Sequence, residues 1–600
     1  MQNLGRISKR ILVGPLVNPE QMGAWLSQPD FRVLYDPKLL NRPAAWEGLI
    51  PELQLENYPW LAYRYGQCLS EILTQLEPWQ PELILWWGFA TSVLPQGLDA
   101  APCPVVLIAS DWQSAGALLW EWREHFDLIL GDQALVNWLQ SRGFTRCAWW
   151  PSYGFSPARF YPGAETKCWD LTYVGSLNPD SHPERLLYLK TLSVLSRQYR
   201  VCFRNQIVGE DYRRLLSQSR LVFNHALRGE MNLRAYEASA CGAVVLQEAG
   251  NLEIRRFLTP GESCLLYEPS QLLAQVKGWL QQPELLDSIS KRAAQAILNH
   301  TYEQQFERLL NLLPNYLKQH RRAPLRLASN LQGQLELLQA FQPAVVAQQP
   351  ELIREKLKLQ AQPLPPILAC LGLSLGTDRD AAYSALEMAA LQNPQDLILQ
   401  HNLAWAARFV QKPKASIFEL IHHALQTKLQ LPAADRLDEF VVLPCLGSHR
   451  FQLVWEQAHQ AEDRNRLEQL VYWNLLRLKA EVALENEDWV TSLQALEQAQ
   501  ERPQMPETLC FPMAMIYLRL QEHARALQAF ARSVSLNPSS RIAWKYLIQL
   551  SLKLEPVNAR REKLAELIDW AEAVAWRDGL PQWHALYEQL KIETVTEPGN

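Results

Sequence analysis

Short, unbroken apolar runs set apart by amphipathic stretches dominate the first half of the chain. They fall at 11–14 (ILVG), 31–35 (FRVLY), 83–87 (LILWW), 105–109 (VVLIA) and 128–130 (LIL), and several stop at a Gly or Asp. An apolar residue at nearly every position, rather than every second one, predicts strands buried on both faces, and so a parallel sheet. A helix-like stretch follows the 128–130 run as far as Gly143. Strands alternating with helices predict a doubly wound α/β unit. The segment 151–163 (PSYGFSPARFYPG) is rich in turn formers and reads as a crossing between units. The pattern then restarts. Strands are expected at 170–174, 200–203, 221–223, 243–246 and 263–267, with helices over 185–196, 212–219 and 232–241. Two such units predict two Rossmann-like sheets around one cleft, with ligands outside the carboxyl ends of the strands.

From about residue 310 the texture changes, and Leu, Ala, Gln and Glu dominate. AEVALENEDWVTSLQALEQAQ from Ala480 and AMIYLRLQEHARALQAFARSV from Ala514 align at an offset of 34 residues. Leu493 falls on Leu527, Ala495 on Ala529 and Ala499 on Ser533, placing small residues where two helices must touch. That period resembles tetratricopeptide repeats, which stack into a solenoid with a concave groove. A weaker pair spans 380–425, and 430–470 fits the period poorly. The expected class is therefore α/β plus all-α. Its divisions are a first Rossmann-like domain over 1–155, a second over 156–318, a helical linker over 319–365 and a TPR-like region over 366–600. A non-repeating helical bundle is the alternative for the last part.

Composition narrows the function classes. A chain of 600 residues is too long for one core. With 48% hydrophobic and 20% charged residues it reads as folded rather than disordered. A net charge of -5 argues against a nucleic-acid binder, and the basic run 318–326 (KQHRRAPLR) reads as a solvated linker. Ten cysteines stand singly with no CxxC spacing, which argues against a zinc site or disulfide framework and for a reducing cytoplasm. No apolar run approaches about 18 residues, so no membrane span is expected. Most of the 22 tryptophans belong in cores, while Trp86-Trp87 and Trp149-Trp150 stand at expected strand ends, where pockets form.

The chemistry concentrates in 229–242 (GEMNLRAYEASACG). On a helix, Glu230, Arg234, Glu237 and Cys241 share one stripe beside Leu233, Tyr236 and Ala240. A solvated Glu-Arg pair at i,i+4 would be worth only about 0.3–0.5 kcal/mol. Against that reading, the stretch follows an expected strand end at 223–224 and feeds directly into an apolar strand. The loop 225–230 leads into a helix N-terminus, whose unpaired N–H groups favour a phosphate.

Asn232, Arg234, Tyr236, Glu237, Ala238, Ala240, Cys241 and Gly242 form a pattern that resembles bacterial GT-B glycosyltransferases of group 1, in the spore-coat glycosyltransferase-like branch. The pieces 170–176 (DLTYVGS), 208–212 (VGEDY), 300–302 (HTY) and 127–160 resemble that family in order, so the likeness covers roughly 80–315. The resemblance implies a hexosyltransferase-like, metal-independent enzyme. It would take a nucleotide-diphosphate sugar as substrate, with no cofactor and no metal. Glu237 would accept ribose hydroxyls and Arg234 would face the diphosphate as a catalytic group. Gly175, Ser176, Gly209, Glu230 and Asn232 would complete the nucleotide-sugar site. Six residues separate Glu230 from Glu237 where many retaining members have seven, so retention and inversion both stay open. Inversion needs a general base from the first unit. Asp111 is the first candidate, with a helix N-cap as its alternative role, and Asp132 the second. Ser176 serves either a phosphate or acceptor, or an ordinary turn; His225 lines the cleft or is structural. The repeats would recruit a protein or glycan acceptor. The alternative is a catalytically silent α/β scaffold whose repeats mediate protein–protein interaction.

Overall fold

The computed structural model describes residues 10–16, 30–35, 60–63, 67–87, 94–110, 112, 119–120, 122–151, 153–176, 183–205, 207–226, 229–319, 350–358, 366–376, 378–426, 429–431, 461–501, 507–536 and 540–573. The first lobe is built on seven parallel strands, β1 (Ile11–Leu16), β2 (Phe31–Tyr35), β3 (Trp60–Ala62), β4 (Leu83–Trp87), β5 (Val105–Ala109), β6 (Leu128–Gly131) and β7 (Cys147–Trp149). Their order is β3-β2-β1-β4-β5-β6-β7, so the winding reverses between β1 and β4. Every residue of β4 and β5 is buried, as two-sided coverage requires. The edge strands β3 and β7 were not expected from the sequence. Each has three residues, too few to print a periodic pattern. Helices α1 (Leu69–Gln75) and α2 (Gln133–Ser141) belong to this lobe.

The second lobe holds β8 (Trp169–Val174), β9 (Val201–Arg204), β10 (Ser219–Phe223), β11 (Val244–Glu248) and β12 (Leu265–Tyr267), all parallel, in the order β12-β11-β10-β8-β9. Its helices are α3 (Pro183–Ser193), α4 (Gly209–Ser217), α5 (Leu233–Ala240), α6 (Leu272–Leu280) and α7 (Pro283–Ile297). The winding reverses between β8 and β10, so a crevice opens at the carboxyl ends of those two strands. Both sheets, with their flanking helices, are Rossmann-like.

Helix α8 (Tyr302–Gln319) departs from the expected division. By sequence it closes the second domain, but Phe306, Leu309 and Leu313 share a core with Ile11, Val13, Phe31 and Val106 of the first sheet. The chain thus crosses between lobes twice. The crossings meet at a parallel bridge between Phe155 and Thr301, where Tyr302 N donates to Phe155 O at 3.2 Å. Gly154 permits this approach: a Cβ there would lie 2.9 Å from Tyr302 N.

The remaining described elements are helices: α9 (Pro350–Lys358), α10 (Pro366–Leu375), α11 (Arg379–Gln392), α12 (Leu397–Phe409), α13 (Lys414–Gln426), α14 (Ala461–Leu484), α15 (Trp489–Gln500), α16 (Glu507–Arg519), α17 (His523–Leu536), α18 (Arg541–Leu554) and α19 (Val557–Ala573). Ala495, Ala499, Ala529 and Ser533 are buried, as close helix contact demands. Most of 430–470 lies outside the described residues. This helical part is not a free-standing appendage. One core runs from Leu171, Leu189 and Phe203 of the second lobe to Trp473, Trp544 and Leu564, and another joins Trp86 and Leu107 of the first lobe to Leu386 and Trp405. Among the described residues no helix is long and apolar enough to cross a membrane.

Candidate functional site

β8 ends at Val174 and β10 at Phe223, and the guanidinium of Arg234 spans both ends. Its Nε donates to Val174 O at 2.6 Å, and its Nη1 to Asn224 Oδ1 at 2.7 Å. The same group stacks 4.5 Å from the Tyr173 ring centroid. Arg234 therefore sits at the reversal of strand order, held by two hydrogen bonds and one aromatic face. Gly175, at φ +153°, makes room for it: a Cβ there would fall 2.1 Å from Arg234 Nη2.

A second guanidinium joins it. Arg185, in the first turn of α3, is buried, with Nη2 donating to His225 O at 3.1 Å and Nη1 to Ser176 O at 3.5 Å. Burial pulls its pKa below the ordinary arginine value, with the cation of Arg234 adding to the effect. Two buried or half-buried cations side by side make a concentrated positive field at the strand ends. Sequence reasoning missed Arg185, because one Arg in a helix with no motif around it carries no signal.

Glu237 lies one turn beyond Arg234 on α5. Tyr212 Oη donates to its Oε2 at 2.7 Å, and burial, followed by the Glu237 charge, holds the phenol proton in place by raising its pKa. Tyr212 comes from α4, which opens at Gly209 in the left-handed region (φ +62°) and exposed. Ser176 is exposed, and its carbonyl accepts from Tyr173 Oη at 3.0 Å.

The expected four-residue stripe does not form as one helical face. The helix runs over Leu233–Ala240, with Asn232 as N-cap, so Glu230 precedes it, and Cys241 is buried behind it. Asn232 does not cap its own helix by side chain. Its amide pairs with the buried Asn224, which donates to Asn232 Oδ1 at 2.9 Å and receives from Asn232 Nδ2 at 3.2 Å. Nor is the approach to the helix an open anion site: Met231 N, just upstream, donates to Glu253 Oε2 at 2.8 Å. The Glu230 carbonyl accepts from Asn251 Nδ2 at 3.0 Å. His225 Nδ1 lies 3.0 Å from Tyr267 Oη and 3.7 Å from the buried Glu248 carboxylate, whose pKa burial raises.

Across the cleft, Asp132 caps α2 by accepting from Leu135 N at 2.7 Å, and its carboxylate also takes the Trp112 indole N–H at 3.0 Å. Burial pushes its pKa up to about 8, and the charge of Glu230 adds to that rise. Asp111 lies outside the described residues. Trp86 and Trp87 are buried in β4, while Trp149 is half-buried and reaches the second lobe, donating to Glu253 at 2.7 Å. Among the described residues no group of three or more His, Cys, Asp or Glu is arranged to hold a metal ion.

Residues 165–311 match the Glycosyl transferase-like family. A comparison with curated proteins finds no match. Solved structures to which the chain is similar include the pneumococcal O-GlcNAc transferase GtfA in complex with UDP and GlcNAc, at 11% identity over 42% of this chain and TM-score 0.30. This chain spans 60% of the length of GtfA. A sucrose-phosphate synthase from Thermosynechococcus elongatus is similar at 16% identity, over 48% of this chain and 89% of its own, with TM-score 0.34. HepE from Anabaena, in complex with UDP and glucose, is similar at 13% identity, over 50% of this chain and 99% of its own, with TM-score 0.38. The family match, which covers the second sheet and the start of α8, supports glycosyl transfer as the chemistry of this part of the chain.

Proposed function

We propose that the chain is a GT-B glycosyltransferase whose second lobe holds a nucleotide-diphosphate sugar and whose cleft passes the sugar to a protein or glycan acceptor. The observation that carries this reading is Arg234 bonded to the carboxyl ends of both β8 and β10, one turn from Glu237. In this reading Arg234 and Arg185 face the diphosphate. As the glycosidic bond to the leaving phosphate breaks, negative charge grows on the nucleoside diphosphate. Fixed guanidinium groups stabilise that charge more in the transition state than in the ground state. This charge supply is the reason for reading the reaction as metal-independent, and transfer should then survive EDTA.

Glu237, oriented by Tyr212, takes the ribose hydroxyls. Gly175 and Ser176 lie beside the phosphates, Gly209 opens the helix that carries Tyr212, and Asn232 braces Asn224 behind Arg234. Glu230 stands between the two lobes. For an inverting reaction the acceptor proton goes to Asp132 or Asp111; Asp132, with its pKa near 8, would give a rate that climbs with pH through that value. The helical part is read as TPR-like. A polar groove of about 370 Å³ beside Glu497, Tyr517, Arg525 and Arg532 is where an acceptor or partner would seat. The nine described cysteines stand as free thiols, which fits the cytoplasmic reading.

Thermal melting with UDP, GDP and ADP sugars tests the proposal. One nucleotide should raise the melting temperature saturably, and Glu237→Ala and Arg234→Ala should abolish the shift while Leu493→Ala, in the helical part, preserves it. No shift with any nucleotide, or an equal shift in Glu237→Ala and Arg234→Ala, overturns the reading.

A further inference from the structure

Glu253 is 2% exposed, and its carboxylate is filled from both lobes. Oε1 accepts the backbone N–H of Gln133 at 2.8 Å and the indole N–H of Trp149 at 2.7 Å, both from the first lobe. Oε2 accepts Met231 N of the second lobe at 2.8 Å. Gln133 is the first residue of α2, and Met231 immediately precedes the N-cap of α5. The carboxylate thus closes the positive ends of two helices that belong to different lobes. A second bridge lies beside it: Arg256 Nη2 donates to Gln133 Oε1 at 2.6 Å, and its guanidinium rests 4.1 Å from the Trp149 ring centroid.

The junction continues toward the donor side. Leu252 N donates to Gly229 O at 2.9 Å, and Asn251 ties the Glu253 backbone N–H to the Glu230 carbonyl. Beyond Met231 come Asn232, its pair Asn224, and the Asn224 oxygen that holds Arg234. Apart from the peptide bond joining Met231 to Asn232, the links in this series are hydrogen bonds between named groups, and its two ends lie in different lobes.

We propose that Glu253 is a positioning residue that couples closure of the two lobes to the conformation of the 229–232 segment. In the closed form three N–H donors satisfy the carboxylate. When the lobes part, two of the three leave, and the charge must turn to water and release its hold on Met231. Such a group has two settings rather than a continuum. That the segment then serves a sugar donor rests on the nucleotide-sugar reading; the coupling itself does not.

Gln133→Pro breaks the interlobe contacts of Gln133, its N–H to Glu253 and its side-chain bond from Arg256, from the first-lobe side. It deletes the N–H at the first position of α2, where Pro is well tolerated. Asp132, at φ -65° and ψ 169°, already has the extended geometry that precedes a proline. Glu253 itself stays intact. Backbone hydrogen exchange at Met231 in the unliganded full chain is the readout, with Leu403 in α12 as a remote control. Gln133→Pro and Glu253→Gln should each speed exchange at Met231 by at least about fivefold while leaving Leu403 unchanged. UDP, used as the probe, should bind several-fold more weakly to both variants. Unchanged exchange at Met231 in Gln133→Pro overturns the coupling, whatever Glu253→Gln does, including failure to fold. Should UDP bind neither wild type nor variants, the donor's base is not uracil and the nucleotide reading rests on GDP and ADP, while the exchange result still decides the coupling.

Discussion

Gly175 combines an unusual backbone angle with a close neighbour: φ is +153°, and the space its Cβ would fill is taken by Arg234. Arg234 cannot simply swing away, because Val174 and Asn224 hold it. Gly175→Ala should therefore displace the guanidinium and weaken nucleotide binding at least about tenfold, with a stability cost of about 1–3 kcal/mol; a binding titration beside a urea melt separates the two. Two ionisable side chains make opposite demands on pH. Burial, with Arg308 nearby, pushes His300 down to about 4 from an ordinary 6.5. Between those values the unfolded chain binds a proton that the folded chain refuses, so this group lowers stability as pH drops through the window. Asp132 runs the other way. Its folded pKa of about 8 exceeds the ordinary 3.8, so the folded chain keeps a proton the unfolded chain has lost, and stability falls as pH rises from about 4 to about 8. Urea melts at pH 5, 7 and 8.5 should show the first slope vanish in His300→Phe and the second in Asp132→Asn.

Lys167 joins elements that lie far apart in sequence. Its Nζ donates to Ser219 O, at the start of β10, at 2.8 Å and to Gly242 O, in the turn from α5 to β11, at 2.6 Å. Lys167→Met should cost about 1.5–3 kcal/mol in chemical denaturation, because it removes two charge-assisted bonds at once. The central strands of both sheets could be read from apolar runs, since burial on both faces leaves polar residues no place. The short edges β3 and β7 could not. The motif around 232–242 located α5 and the strand end it serves, because Arg, Glu and Gly there obey local geometry. Arg185 and Glu253 escaped notice, while Tyr212 and Asn224 fell within quoted stretches without being given a role in the site. Arg185, Tyr212 and Glu253 meet partners 40, 25 and 120 residues away, and Asn224 meets Gln247 on the neighbouring strand as well as Asn232 and Arg234 of the motif; such pairings show only once the chain is folded.

At the scale of the whole molecule, the α/β and helical parts share cores. α19 packs against β9, an edge strand of the second sheet, and α17 packs against α3, which carries Arg185. The α/β half expressed alone as residues 1–319 would uncover Leu189, Phe203 and the rim of β9. It should bind a hydrophobic dye and aggregate at concentrations where the full chain stays dispersed, as light scattering would show.

The paired crossings at Phe155 and Thr301 carry a mechanical consequence. One peptide tether allows swivelling in any direction; two side by side behave like the pins of a door and restrict motion to a single axis. A protease nick within 156–163 would cut one pin and leave the other, with α8 still seated on the first sheet. The two fragments should then co-elute under native conditions and separate only in denaturant.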